Sequence, residues 1–146
     1  MRRIATLAVT TGLAMSCLTV VSTGAEAATT RSWVTKDGWS SLKASGKYTR
    51  SAKGLAVSVY LTDTRNNGWS PAVQIRTATK DYKKYKNSAV FFFVNRNNGR
   101  PADMPFSNVY RGKYTAGYAG HLYVREVGVS ETNRNRMVAG PWKKLF

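Results

Sequence analysis

His121, Arg125 and Glu126 have the side-chain types that phosphodiester hydrolysis uses: a carboxylate base, an imidazole acid and a guanidinium held on phosphate. Their spacing works against convergence. Successive side chains of a strand alternate between faces, so His121 and Arg125 share one face while Glu126 points through to the other, and only a bulge would unite the three. His121 is the single histidine of the chain, and its plainer reading is a structural or surface imidazole beside a solvated arginine. A small secreted hydrolase or nuclease centred on this trio is one class of function. A protein without catalysis is the expected one.

A denser constellation is Lys80-Asp81-Tyr82-Lys83-Lys84-Tyr85-Lys86, four lysines and two tyrosines around one acid. Lysines attract anionic polymers, and tyrosine rings stack on bases or pack on sugar faces, so this interleaving is what a polyanion-binding loop requires. The competing reading is a solvated hairpin whose tyrosines cover the edge of the core. Arg96 and Arg100 are expected to assist, which makes Lys80, Tyr82, Lys83, Lys84, Tyr85, Lys86, Arg96 and Arg100 the candidate contact surface. A third class of function is a secreted inhibitor or toxin that presents residues 96–106, stiffened by Gly99, Pro101 and Pro105, to another protein.

Metal chemistry has little to work with. Residues 63–74 have Asp63, Asn67 and Gly68 at the first, fifth and sixth places of a calcium loop, but Arg65 stands at the third place, where an oxygen ligand is required, and Gln74 where a bidentate Glu should be. The plain reading is a hairpin loop whose Asp63 bonds local backbone. Thiolate zinc sites and cysteine nucleophiles are excluded from residues 28–146 because the single cysteine is Cys17. No metal or cofactor is expected.

Residues 1–27 have the parts of a cleavable secretory signal peptide: basic Arg2-Arg3, an apolar stretch over residues 4–21, and small Ala25 and Ala27 ahead of a cut between Ala27 and Ala28. Thr6, Thr10, Thr11, Gly12, Ser16 and Thr19 make that stretch weak as a permanent span of ~20 apolar residues. Ala14-Met15-Ser16 before Cys17 do not resemble a lipobox, and Ile4-Ala5-Thr6 do not extend Arg2-Arg3 into a twin-arginine signal. The protein is therefore expected outside the cell.

The chain's 23 Lys and Arg against 7 Asp and Glu give a formal charge of +16; without Arg2, Arg3 and Glu26, residues 28–146 carry 21 against 6, or +15. A field of that sign draws in polyanions, whether wall polymer, acidic polysaccharide or nucleic acid, and also serves solubility. Residues 28–146 suffice for one domain with its own core. With no cysteine left, that core rests on packing, for which all four Trp, eight Tyr and five Phe are available.

The elements that must position these groups are strands. Large apolar residues take every second place over residues 55–62; Val73, Ile75 and Thr77 oppose Gln74, Arg76 and Ala78; Leu122, Val124 and Glu126 alternate with Tyr123, Arg125 and Val127. Residues 88–94 are apolar on both parities, as in a central strand covered on both sides. Asn67-Gly68 and Asn98-Gly99 mark tight turns. The shared string Arg-Asn-Asn-Gly before each is two turns meeting one geometric demand, not a duplicated unit. Trp142 and Phe146 are expected in the core, on a docked terminal strand. The whole reads as an all-β, monomeric, single-domain antiparallel sandwich or open barrel of seven or eight strands.

Val57-Ser58-Val59-Tyr60-Leu61-Thr62-Asp63-Thr64, the turn Asn67-Gly68, His121-Leu122-Tyr123-Val124-Arg125-Glu126 and Gly140-Pro141-Trp142-Lys143-Lys144 look like small secreted proteins common in actinobacteria. The resemblance covers most of residues 28–146, and that group has no assigned activity. Such proteins often carry a cysteine pair near the last two strands. This chain has Val127 and residues 138–140 there, so the resemblance implies no disulfide here and transfers no functional residue.

Overall fold

The computed structural model describes residues 28–35, 38–39, 41–51, 54–103, 112–116 and 118–146. The leader assigned to residues 1–27 and the end of the 96–106 loop lie outside them. Alternation of large apolar with small or polar residues folds, as expected, into strands: β1 (Thr29–Val34), β2 (Leu42–Ser51), β3 (Gly54–Asp63), β4 (Trp69–Ala78), β5 (Tyr85–Asn87), β6 (Phe91–Phe92), β7 (Gly112–Ala116), β8 (His121–Ser130), β9 (Met137–Ala139) and β10 (Lys143–Lys144). The number exceeds seven or eight because β5, β6, β9 and β10 are short edge pieces. Among the described residues there is no helix, hence none long and apolar enough to cross a membrane.

The strands form two antiparallel sheets, β1-β2-β3-β7 and β10-β8-β4-β5, with β6 also on the edge of β4 and β9 on the edge of β8. Leu55, Val57, Val59 and Leu61 of the first sheet meet Val73, Ile75, Leu122 and Val124 of the second in one buried cluster, joined by Trp33, Ala44 and Tyr48. The chain is thus all-β and sandwich-like, with alternate residues of each long strand directed inward. Gly68 and Gly99 adopt φ of 82° and 69°, the left-handed backbone that their turns demand.

Two sequence expectations change. Residues 88–94 are not a central strand, for β6 lies on the edge of β4. Their apolar character on both parities has another cause: Phe91 and Phe93 pack on the main core, while Val90 and Phe92 pack on a small outer cluster of Ala72, Val127 and Val129. The C-terminus is docked, with Leu145 N–H donating to the Leu122 carbonyl at 2.8 Å and Phe146 packed 5.3 Å from the Tyr48 ring. Trp142, however, lies on the outer face of the second sheet and not in the core.

The 63–68 turn is closed by carboxylates. Asp63 Oδ1 accepts from Arg65 N–H at 3.0 Å, and the Asp103 carboxylate accepts from the backbone N–H groups of Asn67 and Gly68. Asp63 Oδ2 is buried with no hydrogen-bond partner. Burial first, and then the Asp103 charge, push the Asp63 carboxyl above its ordinary 3.8. Its contribution to stability is therefore fully present below 3.8 and lost as pH rises through the higher folded value. Asp63→Asn retains the acceptor without the charge. Thermal melts should show it more stable than the parent by a few degrees at neutral pH, with the advantage shrinking below pH ~4; an equal gain at both pH values would refute this account.

Candidate functional site

Register assembles the outer face of the second sheet. β4 pairs with β8 so that Gln74 opposes Arg125, Arg76 opposes Tyr123 and Ala78 opposes His121. Directly opposed residues share a face. On the same face, β5 sets Tyr85 opposite Ala78 and Asn87 opposite Arg76, and β10 sets Lys144 opposite Tyr123.

Trp142, carried in by the chain just before β10, is the platform. The Arg76 guanidinium carbon lies 4.3 Å from its ring centroid and that of Arg125 4.5 Å, while Arg76 also reaches Tyr85 at 5.9 Å. Neutral amides fix both arginines. Gln74 Oε1 accepts from Arg125 Nε at 3.0 Å and Nη2 at 2.6 Å, and Gln74 Nε2 donates to the Ser88 carbonyl at 3.1 Å. Asn87 Oδ1 accepts from Arg76 Nε at 2.8 Å. These bonds leave other terminal guanidinium N–H donors for a ligand. Burial, and then the neighbouring charge of Arg76, hold Arg125 below the ordinary arginine value.

The corner beside it is built on Tyr82, which adopts φ 58°, a strained left-handed backbone for a bulky residue. Its ring lies flat on His121, with centroids 3.9 Å apart and planes within 8°. Lys144 Nζ donates to Tyr82 Oη at 2.7 Å, and that bond raises the Lys144 ammonium above its usual value. The turn itself is tied by Asp81, whose Oδ1 accepts from Thr79 Oγ1 at 2.5 Å and from Lys83 N–H at 3.2 Å. Those bonds, the Thr79 hydroxyl first, pull its carboxyl below the ordinary range. Among the described residues no carboxylate stands beside the two arginines.

The catalytic trio is not brought together. His121 Nε2 donates to the Lys80 carbonyl at 3.2 Å, and Nδ1 is buried without a partner. Arg125 is on the outer face. Glu126 is fully buried on the inner side, where Oε2 accepts from Gly38 N–H at 3.2 Å. Among the described residues no cluster of three or more His, Cys, Asp or Glu could hold a metal ion.

Of the candidate contact residues, Lys80, Lys83, Lys84 and Lys86 are exposed, and Tyr82 and Tyr85 are the members that join the Trp142 array. Arg96 and Arg100 are exposed on a turn closed by Asn95 N–H to Arg100 carbonyl at 2.8 Å. Tyr85 pairs with Ala78 and Phe92 with Ala72, so that turn lies beyond the other end of β4, roughly 20 Å or more away at ~3.3 Å per residue. The structure does not join it to the 80–86 segment. Arg76, Arg125, Trp142 and Lys144 are the group that unites with Tyr82 and Tyr85; alternation in β4 and β8 already pointed Arg76 and Arg125 outward, and only their register was hidden. No family model, curated protein or solved structure matches the chain.

Gly120 lets this corner close. A Cβ there would lie 2.3 Å from Lys80 N and 2.5 Å from the Thr79 carbonyl carbon, both backbone atoms of the Tyr82 turn. Gly120→Ala should cost about 1–3 kcal/mol in urea unfolding and remove the upfield ring-current shift that Tyr82 imposes on the His121 protons. Persistence of the parent's upfield-shifted His121 signals in the variant would show that the turn does not depend on Gly120.

Proposed function

We propose that this protein is a secreted, non-catalytic binding module for anionic polymers of the cell exterior or envelope, and that the Trp142 face of the second sheet is its contact surface. The observation that carries this reading is the pair Arg76 and Arg125, held against one indole by neutral partners with no carboxylate beside them. Side chains ordered in this way lose little further freedom on meeting sulfate or phosphate groups, and guanidinium matches such groups with paired N–H donors. Lys144 and the lysines of the 80–86 segment widen the positive field, and Tyr82 and Tyr85 add rings for sugar or base faces. Export follows from the leader at residues 1–27, which puts such polymers within reach.

Two pairs of substitutions with equal loss of charge test the surface. Arg76→Gln with Arg125→Gln should weaken binding to heparin by about tenfold or more, whereas Lys43→Gln with Lys47→Gln, exposed on the other sheet, should change it by less than about threefold. Parent affinity should fall steeply and log-linearly with salt. Equal losses from the two pairs would reduce the charge to a uniform coat and end the assignment of this face.

A further inference from the structure

At the end of the sandwich away from the Tyr82 turn the two sheets part around a cleft of about 170 Å³. Trp39, ahead of β2, and Trp69, at the start of β4, give it two indoles, with Leu42 and Val138 as further apolar wall. Its polar groups are neutral: the Asn67 amide and the Ser41 hydroxyl, linked by an Asn67 Nδ2 to Ser41 Oγ bond of 3.1 Å. No charged side chain lines it among the described residues, and the Arg136 guanidinium carbon lies 5.4 Å from the Trp69 ring centroid. Gly128 keeps the floor open, since a Cβ there would stand 3.3 Å from Trp69 Cε3 and 3.5 Å from Leu42 Cδ1. Val138, 45% exposed, forms an apolar lip.

Each feature selects against other ligands. A cavity of roughly 150 Å³ takes one benzene ring, so this cleft admits one six-membered ring and not two. Indole walls favour a ligand with a flat C–H face. The amide and hydroxyl disfavour a purely apolar ring, which would leave them unpaired. Asn67 Oδ1 already accepts from the Trp69 backbone N–H at 3.2 Å, which leaves the second Nδ2 proton and the Ser41 hydroxyl proton to meet ligand oxygens. We propose that the cleft is a subsite for one uncharged pyranose ring of a glycan, its C–H face against the indoles and its hydroxyls on Asn67 and Ser41. This site is separate from the anion-binding face and does not rest on it.

Titration with the methyl glycosides of glucose, mannose, galactose and N-acetylglucosamine, followed by the indole N–H resonances, tests the assignment. At least one glycoside should shift the Trp39 and Trp69 signals with millimolar affinity, leave those of buried Trp33 and outer-face Trp142 in place, and bind equally at low and high salt. Trp39→Ala should weaken that binding about tenfold. Val138→Trp, which fills the mouth from an exposed position without removing a wall, should weaken it as much at an unchanged melting temperature. The proposal is overturned if none of the four glycosides moves either indole, if cyclohexane binds as tightly as the best glycoside, or if folded Val138→Trp binds like the parent.

Discussion

Ten residue pairs, from Trp69 opposite Ser130 to Ala78 opposite His121, hold β4 and β8 in one antiparallel register, and both faces of the second sheet depend on it. Inward, the pairing delivers Val73, Ile75, Leu122 and Val124 to the core, each fully buried and each worth roughly 1.5–3 kcal/mol of burial. Outward, the same pairing sets Gln74, Arg76, Tyr123 and Arg125 side by side. A slip of one residue in either strand would send arginine into the core and aliphatic side chains into water. The hydrophobic contacts that fold the domain therefore also fix the outer face.

Setting two guanidiniums beside each other is unfavourable, and the local structure shows what offsets it. Trp142 attracts both through its ring quadrupole, about 0.5–2 kcal/mol for each cation, and Gln74 and Asn87 accept their Nε protons. None of these partners neutralises the charge. Structural arginines usually meet carboxylates; this pair is positioned while its charge stays uncompensated, which is the arrangement an anion would complete.

Much of this fold is legible in the sequence because alternation states which residues share a face of one strand. The inner and outer sets of β3, β4 and β8 follow from that rule, as does the separation of Glu126 from His121 and Arg125. Alternation says nothing about which strand lies beside which. Arg76 and Arg125 are brought together only by the β4–β8 register, so their juxtaposition, unlike the local lysine cluster of residues 80–86, is not visible along the chain. Trp142 misleads for a related reason: a large aromatic near a docked terminus reads as core, yet its neighbours across the sheet are arginines. The 88–94 run has the composition of a central strand because each of its faces meets a different hydrophobic cluster, and composition does not record that the strand is an edge.

Among the described residues the one ion pair is Lys83 with Asp81 at 3.9 Å, both well exposed, a class of contact worth little and readily screened. The main core cluster is apolar, and buried Glu126 accepts from the Gly38 N–H. Added salt leaves the apolar core contacts intact and relieves repulsion among surface cations, while it would screen the proposed attraction between the Trp142 face and a polyanion. On that proposal, folding and anion binding would respond to ionic strength with opposite sign. Binding of a neutral ring in the cleft between Trp39 and Trp69, built on the other ends of the same two long strands, would fall outside both responses. A polymer that carries anionic groups and neutral sugar rings would meet two surfaces on one rigid sheet, roughly 20 Å apart along β4, and only one of the two contacts would yield to salt.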